Sequence, residues 1–241
     1  MTTQVSSERV LALLGEGTIE PLGLIPGASN DTFLTTIGDG ELETYAVYKP
    51  RDGEAPLWDF PDGTLYRREM AAYVVIEALG WQIVPPTVIR DGPFGVGMLQ
   101  LFIDHETAEH FLTLEKTHRD VFRRVAAFDV AVNNADRKSG HCLLQRDTER
   151  IFVVDHGVTF HGQPKLRTVI WDYAREPLPA DVKFDLAGLA TKLTAGEVRE
   201  ALIPLLQPDE LDALEARTAG LVKHGSFPEP GPGRPYPWPP V

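Results

Sequence analysis

The sequence predicts an α+β protein, in which a first half with an antiparallel β-sheet and one helix is followed by a mainly helical second half. Three short segments between residues 18 and 49 alternate apolar and polar side chains and are separated by turn residues, a pattern typical of a β-meander. From residue 112 onward, apolar residues recur mostly at helical spacing. With 241 residues, the chain can form one large domain or two lobes.

The composition limits the classes of function. A net charge of −12 argues against nucleic acid or an anionic membrane surface as a partner, because both require basic patches. No apolar run reaches the length of a membrane span, and residues 1–8 lack the basic and apolar regions of a signal peptide. We therefore expect a cytoplasmic protein without stable membrane insertion. The single cysteine, Cys142, excludes an internal disulfide and a cysteine-based zinc site.

The first elements follow from cap and turn residues. Serine and glutamate before an apolar pattern predict a short helix at residues 6–14, which the following glycines end. Residues 18–31 and 32–37 then predict a strand, a turn and a second strand. A third strand is predicted at residues 43–49, with Lys49 at its end.

One helix and two strands complete the predicted first lobe. Residues 65–79 have a helical pattern after a capping segment that ends at Thr64, and Gly80 stops the helix. Glu69 borders the apolar face of this helix. Residues 84–89 and 96–103 predict strands, the second of which joins the two halves.

The second half is predicted to be helical except for one loop and hairpin. The hairpin pairs residues 142–144 with 151–154, and a segment rich in proline and glycine at residues 227–241 is expected to be extended or disordered. Helices are predicted at residues 119–132, 186–193, 194–207 and 208–223. The predicted domains are residues 1–103, 104–226 and the tail 227–241.

Two carboxylates and one imidazole lie around the predicted hairpin. Asp136 and Asp155 are on loops that flank its strands, and His141 lies between them in the sequence. A hairpin would bring these loops together at one end. Acidic side chains at the ends of apolar strands are costly to bury unless they bind a metal or a partner. Two carboxylates around a divalent ion and a phosphate suit phosphoryl transfer.

This order of elements resembles the protein-kinase-like fold, and most closely its phosphatidylinositol 3-/4-kinase branch. By this resemblance, the chain is identified as a member of a small actinobacterial-type family related to those kinases. The resemblance covers residues 18–172 and implies a bilobal protein-kinase-like fold. It implies that Lys49 holds the α- and β-phosphates of ATP and pairs with Glu69.

The same resemblance assigns the remaining site residues. The catalytic loop would be Asn134-Ala135-Asp136-Arg137 and the residues up to His141, and the metal-binding motif would be Asp155-His156-Gly157. The hinge strand at residues 98–103 would bind adenine, and the phosphate loop would be residues 25–31. The implied hinge residues are Gln100, Leu101, Phe102 and Ile103, and the implied phosphate-loop donors are Ser29 and Asn30.

Two positions depart from the pattern of that branch. The phosphate loop is often glycine-rich in the family, whereas here Ser29 and Asn30 would supply the donors. His141 replaces the asparagine that usually binds the second metal. Because imidazole is a poor ligand for Mg²⁺ and a good one for Mn²⁺, the expected cofactors are ATP with either Mg²⁺ or Mn²⁺.

The resemblance implies an ATP-dependent phosphotransferase that transfers the γ-phosphoryl group to a hydroxyl acceptor. Asp155 and His141 would hold the metal, Asp136 would orient or deprotonate the acceptor, and Arg137 or Lys138 would stabilise the transferred group. Because the chain is acidic and has no membrane-binding helix, we expect a protein or small-molecule acceptor in preference to a bilayer lipid.

Other interpretations remain open at this point. The departures at His141 and in the phosphate loop would also suit a nucleotide-binding pseudokinase that signals to a partner. Transfer of the nucleotidyl group would use the same residues with the nucleotide reversed. Lys165 and Arg167 could meet an anionic substrate or could simply be exposed loop residues.

A zinc-protease helix is not expected. That helix needs two histidines four residues apart, which places both on one face. His105 and His110 are five residues apart and would point away from each other.

Overall fold

The computed structural model describes residues 5–194 and 196–241. The N-terminal half forms a five-stranded antiparallel sheet with strand order β1-β2-β3-β5-β4. Its strands are β1 (Thr18–Leu24), β2 (Phe33–Gly38), β3 (Glu43–Pro50), β4 (Thr87–Gly92) and β5 (Gly95–Leu101). Helices α1 (Ser7–Glu16) and α2 (Leu65–Leu79) accompany the sheet. The predicted sheet and both predicted helices are therefore confirmed.

Strand β3 has its two faces in different surroundings. Ala46 and Tyr48 are fully buried in a cluster that includes Leu13 and Leu14 of α1. Because side chains alternate along a strand, Lys49 points to the opposite face. Lys49 pairs across the ladder with Met98, and Pro50 pairs with Gly97. A Cβ at Gly97 would lie 2.5 Å from the Lys49 carbonyl oxygen, so only glycine fits this close approach.

Helix α2 begins differently from the prediction. Thr64 precedes the helix but makes no side-chain cap, and its hydroxyl donates to the Pro61 carbonyl. The Glu54 carboxylate instead accepts hydrogen bonds from the Leu65 and Tyr66 N–H groups, at 3.0 and 2.8 Å. A carboxylate also complements the positive end of the helix dipole, which explains why it replaces the threonine cap.

The second half is helical around a two-stranded hairpin. The helices are α3 (Phe111–Leu114), α4 (Arg119–Val132), α5 (Ala180–Thr194), α6 (Glu197–Leu202) and α7 (Pro208–His224), and the hairpin pairs β6 (Cys142–Leu144) with β7 (Ile151–Val153). The strand predicted at residues 84–89 lies at 87–92, because the prolines at 85 and 86 cannot donate to a ladder. The strand predicted at 96–103 lies at 95–101. Helix α5 starts six residues earlier than predicted, and α6 is shorter than the predicted helix.

Helix α2 is shared between the two halves. Its buried residues Ala71, Ala72, Val75 and Ile76 belong to one apolar cluster with side chains of α4, α5 and α7. The division of the chain at residue 103 consequently stays a prediction, since the larger core crosses it. Within the described residues, no helix is both long and apolar enough to span a lipid bilayer.

Residues 227–241, which we call the C-terminal strap, lie extended against the helical half. The Phe227 N–H donates to the Glu176 carbonyl, and Phe227 and Pro237 are buried. The strap accepts hydrogen bonds from the Thr168 and Ser139 N–H groups. An extended rather than disordered segment is therefore the correct alternative of the two that were predicted.

Candidate active site

Three of the predicted residues form one ion cluster. The Lys49 Nζ lies 2.6 Å from Glu69 Oε1 and 3.0 Å from Asp155 Oδ1. Strand β3, helix α2 and the loop after β7 each supply one of them. Burial by itself would lower the pKa of Lys49, but the Asp155 and Glu69 carboxylates outweigh it and raise that pKa. Lys49 in turn lowers the pKa of Asp155, so that both groups are charged at neutral pH.

The second oxygen of the Glu69 carboxylate also has a hydrogen-bond partner. Its side chain is 1% exposed, and its Oε2 accepts the His156 N–H at 2.8 Å. A buried carboxylate with a cation on one oxygen and an amide on the other is restricted to one orientation. The helix thus positions the Lys49 ammonium through a carboxylate that cannot rotate freely.

Asp136, in the predicted catalytic loop, follows the end of α4. That helix ends at Asn133, which adopts a left-handed conformation with φ of 54°. The Asn134 side chain then accepts the Asp136 N–H at 3.0 Å, which shapes the loop. The Asp136 carboxylate accepts a hydrogen bond from Lys138 Nζ at 2.7 Å. Burial raises the pKa of Asp136, and Lys138 opposes part of that rise.

Arg137 does not occupy the expected position. Its side chain is completely buried, and it donates to both oxygens of Asp129 and to the Val154 carbonyl. It also contacts His156 Nε2 at 2.7 Å. The resemblance implied that either Arg137 or Lys138 would stabilise a transferred phosphoryl group, and the Arg137 side chain is 0% exposed. Arg137 instead joins the catalytic loop to the segment before Asp155.

Lys138 is the cation that lies beside Asp136. Its side chain is 19% exposed, whereas that of Arg137 is fully enclosed. The sequence offered both cations at adjacent positions. The geometry leaves Lys138 as the one that a bound molecule can reach.

His141 and Asp155 converge as the predicted metal ligands should. The His141 Nε2 is 3.4 Å from Asp155 Oδ2. Burial lowers the pKa of His141 to about 4, so the imidazole is neutral at neutral pH, as a metal ligand must be. Among residues 5–194 and 196–241, no group of three or more His, Cys, Asp or Glu side chains could hold a metal ion. Two protein donors would nevertheless fit Mg²⁺ or Mn²⁺ if nucleotide phosphates completed the coordination.

The predicted phosphate loop lies next to the end of β3. The Asn30 Oδ1 accepts the Ala55 N–H at 2.8 Å, and the Asp31 N–H donates to the Gly53 carbonyl at 2.9 Å. Asn30 thus fixes the loop to the segment after β3 with its oxygen. Ser29 is exposed at the tip of the loop.

The predicted hinge begins inside the sheet. Strand β5 ends at Leu101, so the predicted strand is two residues too long. The Leu101 N–H donates to the Pro86 carbonyl at 2.9 Å, and the Phe102 N–H donates to the Tyr45 carbonyl at 3.1 Å. These two amides already have partners, and a hydrogen bond to adenine would compete with the sheet.

The other two predicted hinge residues, Gln100 and Ile103, differ in the hydrogen-bonding groups that remain without a partner. Gln100 is buried, and its side-chain amide donates to the Thr87 hydroxyl at 2.9 Å. The Ile103 carbonyl contacts the His105 ring at 2.9 Å. Of the four predicted hinge residues, Ile103 keeps an N–H for which the described residues supply no partner. Adenine binding through this hinge stays a prediction.

Sequence reasoning missed Asp129 and the role of His156. Asp129 is a fully buried carboxylate on α4 that accepts from Arg137 and from the Asn134 amide. Its signal was available, because the helix has an acid flanked by Phe128 and Val130 within a buried apolar run. His156 connects Glu69 to Arg137, which only the folded geometry reveals.

Comparison with solved structures supports the fold. A crystal structure of the Helicobacter pylori proinflammatory kinase CtkA matches with a TM-score of 0.55 and 13% identity, over 89% of this chain and 94% of that one. A structure of the Golgi casein kinase matches with a TM-score of 0.53 and 15% identity, over 90% and 75% of the two chains. These similarities show that the predicted bilobal, kinase-like α+β fold is correct.

Comparison with sequence relatives shows how specific the kinase-like assignment is. Phosphatidylinositol 4-kinase gamma 4 of Oryza sativa subsp. japonica is 29% identical over 195 residues, which are 70% of this chain and 34% of that protein. No family model matches the chain. The kinase-like assignment is thereby supported, whereas the specific phosphatidylinositol 3-/4-kinase branch stays a prediction.

One further relative covers nearly the whole chain. Protein Rv2133c of Mycobacterium tuberculosis is 40% identical over 263 residues, which are 95% of this chain and 94% of that protein. An alignment that covers 95% of this chain is long enough to include the same helices and strands in the same order. The chain, with its kinase-like fold, belongs to the family of protein Rv2133c of Mycobacterium tuberculosis.

Proposed function

We propose that this protein is an ATP-dependent phosphotransferase that moves the γ-phosphoryl group of ATP to a hydroxyl acceptor. The observation that carries the proposal is the double ion pair of Lys49 with Glu69 and Asp155. The kinase-like fold supports it, because a lysine paired with a helix glutamate is what protein kinases use to hold nucleotide phosphates.

Lys49 would neutralise the phosphates of the nucleotide. Its ammonium lies in a largely enclosed site between two carboxylates, where an electrostatic interaction is stronger than in water. Glu69 is held by the His156 N–H and would keep the ammonium in place when phosphates compete for Asp155. Catalysis of this kind depends on positioning and charge more than on covalent chemistry.

Asp136 would orient the acceptor hydroxyl and accept its proton. Because burial raises its pKa, Asp136 is a stronger base than an exposed aspartate, and the Lys138 ammonium beside it favours the ionised form. Lys138 would offset negative charge that develops as the proton and the phosphoryl group move.

Asp155 and His141 would hold a divalent ion, Mg²⁺ or Mn²⁺. When bound, the ion supplies positive charge against the β- and γ-phosphate oxygens. The chain contributes a carboxylate that stays ionised next to Lys49 and a neutral imidazole that faces it. His141 favours Mn²⁺ over Mg²⁺, since Mn²⁺ accepts nitrogen ligands more readily.

The test is incubation of the purified protein with labelled ATP and either Mg²⁺ or Mn²⁺. We expect ATP turnover, and we expect Lys49→Met and Asp155→Asn each to lower its rate by about 10²-fold or more. Lys116→Met is the control, because Lys116 is exposed and takes no part in the ion pairs of Lys49. Its rate should equal that of the wild type.

Two outcomes would contradict the proposal. Saturable ATP binding without any turnover in either metal would identify a pseudokinase. Transfer of a nucleotidyl group in place of a phosphoryl group is the second outcome. Intact-mass analysis of the labelled protein would detect it as the added mass of a nucleotidyl group, which would show that the nucleotide binds in the reversed orientation.

A further inference from the structure

A cationic groove lies between the segment at residues 164–171 and the C-terminal strap. Its volume is about 400 Å³, within the range of small-molecule and peptide sites. Lys165, Arg167 and Trp171 line one wall, and Arg234 belongs to the other. Sequence analysis noted Lys165 and Arg167, but the proposed phosphotransfer mechanism does not use them.

The groove adjoins the catalytic loop. The Arg167 N–H donates to the Asn134 carbonyl at 2.9 Å, and the Arg137 N–H donates to the Arg167 carbonyl at 3.0 Å. Arg167 is therefore bonded to the chain on both sides of Asp136. A molecule in this groove would therefore lie beside the loop that carries Asp136, the residue proposed to receive the proton of the acceptor hydroxyl.

The strap forms a fixed wall and is not a loose end. The Pro235 carbonyl accepts hydrogen bonds from the Thr168 N–H at 3.0 Å and from the Trp171 Nε1 at 3.1 Å. Further along, the Pro240 carbonyl accepts the Ser139 N–H at 2.8 Å, three residues after Asp136. These bonds hold the Arg234 side of the groove in register with the catalytic loop.

The groove has an excess of positive charge on an acidic protein. Within the described ranges, Arg167 and Arg234 have no carboxylate within 4.0 Å. The one carboxylate in the lining, that of Glu229, pairs with Arg175 outside the groove. Lys165 is neutralised by Asp59 at 2.7 Å. Two uncompensated guanidinium groups on a chain of net charge −12 therefore favour an anionic ligand at this place.

We propose that this groove is the acceptor site and that it selects an acidic peptide, in which carboxylates flank the hydroxyl to be phosphorylated. Arg167 and Arg234 belong to the two segments that line the groove, and each guanidinium can bind a carboxylate through two hydrogen bonds; Arg234 also stacks on the Trp238 ring, with its Cζ 5.4 Å from the ring centroid. An extended peptide presents successive side chains to opposite sides, which matches cations on two walls. A flat bilayer surface does not enter a groove that is walled on both sides.

This substrate assignment rests on the proposed phosphotransferase function, but the binding step can be measured alone. The probe is a fluorescently labelled peptide with one serine flanked by aspartates and glutamates, compared with the same peptide carrying asparagines and glutamines. Polarisation is measured with the full chain and without nucleotide. We expect binding of the acidic peptide at least about tenfold tighter than that of the neutral one, and weaker binding at high salt.

Substitutions localise the binding. Arg167→Gln and Arg234→Gln should each weaken binding of the acidic peptide by about tenfold. Arg124→Gln is the matched control. Arg124 is partly buried, as Arg167 is, but it lies on α4 and pairs with Asp181. It should bind the peptide as the wild type does. If Arg167→Gln fails to fold, Arg234→Gln still tests the groove, since Arg234 is exposed on the strap.

The outcomes separate the two proposals. Peptide binding that depends on Arg167 and Arg234, in a protein without ATP turnover, would support the groove and contradict phosphotransfer. ATP turnover with equal affinity for acidic and neutral peptides would overturn the groove assignment. Transfer to vesicles of anionic lipid but not to the acidic peptide would overturn it as well.

Discussion

Lys138 and Asp136 show how a neighbouring charge sets the basicity of a candidate catalytic group. Burial raises the pKa of Asp136, and the Lys138 ammonium at 2.7 Å lowers it again. Under the proposed function, the range of activity at low pH depends on this balance, because Asp136 must be ionised to accept a proton.

Lys138→Met is expected to raise the pKa of Asp136, since it leaves the burial effect unopposed. Asp136 would then take up a proton at higher pH, and the ascending limb of the profile of kcat/KM against pH would move to higher pH. Lys138→Arg keeps the charge and should keep the limb near its wild-type position. An ascending limb that stays in place in Lys138→Met would show that Asp136 is not the group that titrates.

The family resemblance, carried by motifs at predicted elements, made Lys49, Glu69, Asp136 and Asp155 candidate site residues, and the structure brings Lys49, Glu69 and Asp155 together. The choice between two adjacent cations, Arg137 and Lys138, could not be predicted in the same way. Which of the two side chains turns inward depends on a loop that starts with a left-handed residue and is shaped by side-chain hydrogen bonds. The periodicity of apolar residues in the sequence does not predict how side chains point in such a loop.

At the scale of elements, a buried ion pair joins α2 to α7. Arg68 is 1% exposed, and its guanidinium donates to Glu210 Oε1 at 2.6 Å and to the Thr159 carbonyl at 2.6 Å. The same helix carries Glu69 at the next position. The position of the candidate active site consequently depends on a contact with the helical half.

Glu210→Gln should lower the free energy of unfolding by about 3–5 kcal/mol, because it leaves the Arg68 charge buried without its carboxylate. Glu215→Gln is the matched control on the same helix, since its pair with Arg199 is partly exposed and should contribute about 0–1 kcal/mol. Urea denaturation of the three proteins measures the difference. Equal midpoints for the two variants would contradict a structural role for the Arg68 pair.

Element types were predicted well and element ends less well. The helix at residues 65–79 was predicted with its observed bounds, because Gly80 is a left-handed stop signal. Its start was attributed to the wrong residue, since the cap comes from Glu54, eleven residues before Leu65 in the chain. A local pattern cannot reveal a partner that only the tertiary fold brings close.

At the scale of the whole molecule, the C-terminal strap links the end of the chain to the catalytic loop. Its carbonyl groups at Pro235 and Pro240 accept the Thr168 and Ser139 N–H groups. The sequence predicted an extended segment but not where it lies, because proline-rich composition determines conformation and leaves docking open.

A chain that ends at Gly233 should lose these contacts without unfolding. We expect faster hydrogen exchange at the Thr168 and Ser139 amides, whereas the Phe122 amide inside α4 should keep its protection. Hydrogen exchange followed by mass spectrometry measures both regions in one sample. Unchanged exchange at Thr168 and Ser139 would show that the strap does not protect the loop in solution.

The anchoring of α2 by Arg68 has a consequence for how such a protein can be regulated. In many protein kinases, outward rotation of the corresponding helix separates lysine from glutamate and switches activity off. Here that rotation would separate the buried Arg68 guanidinium from both the Glu210 carboxylate and the Thr159 carbonyl. This penalty disfavours such a rotation, so under the proposed function turnover should depend on the supply of nucleotide and acceptor more than on movement of this helix.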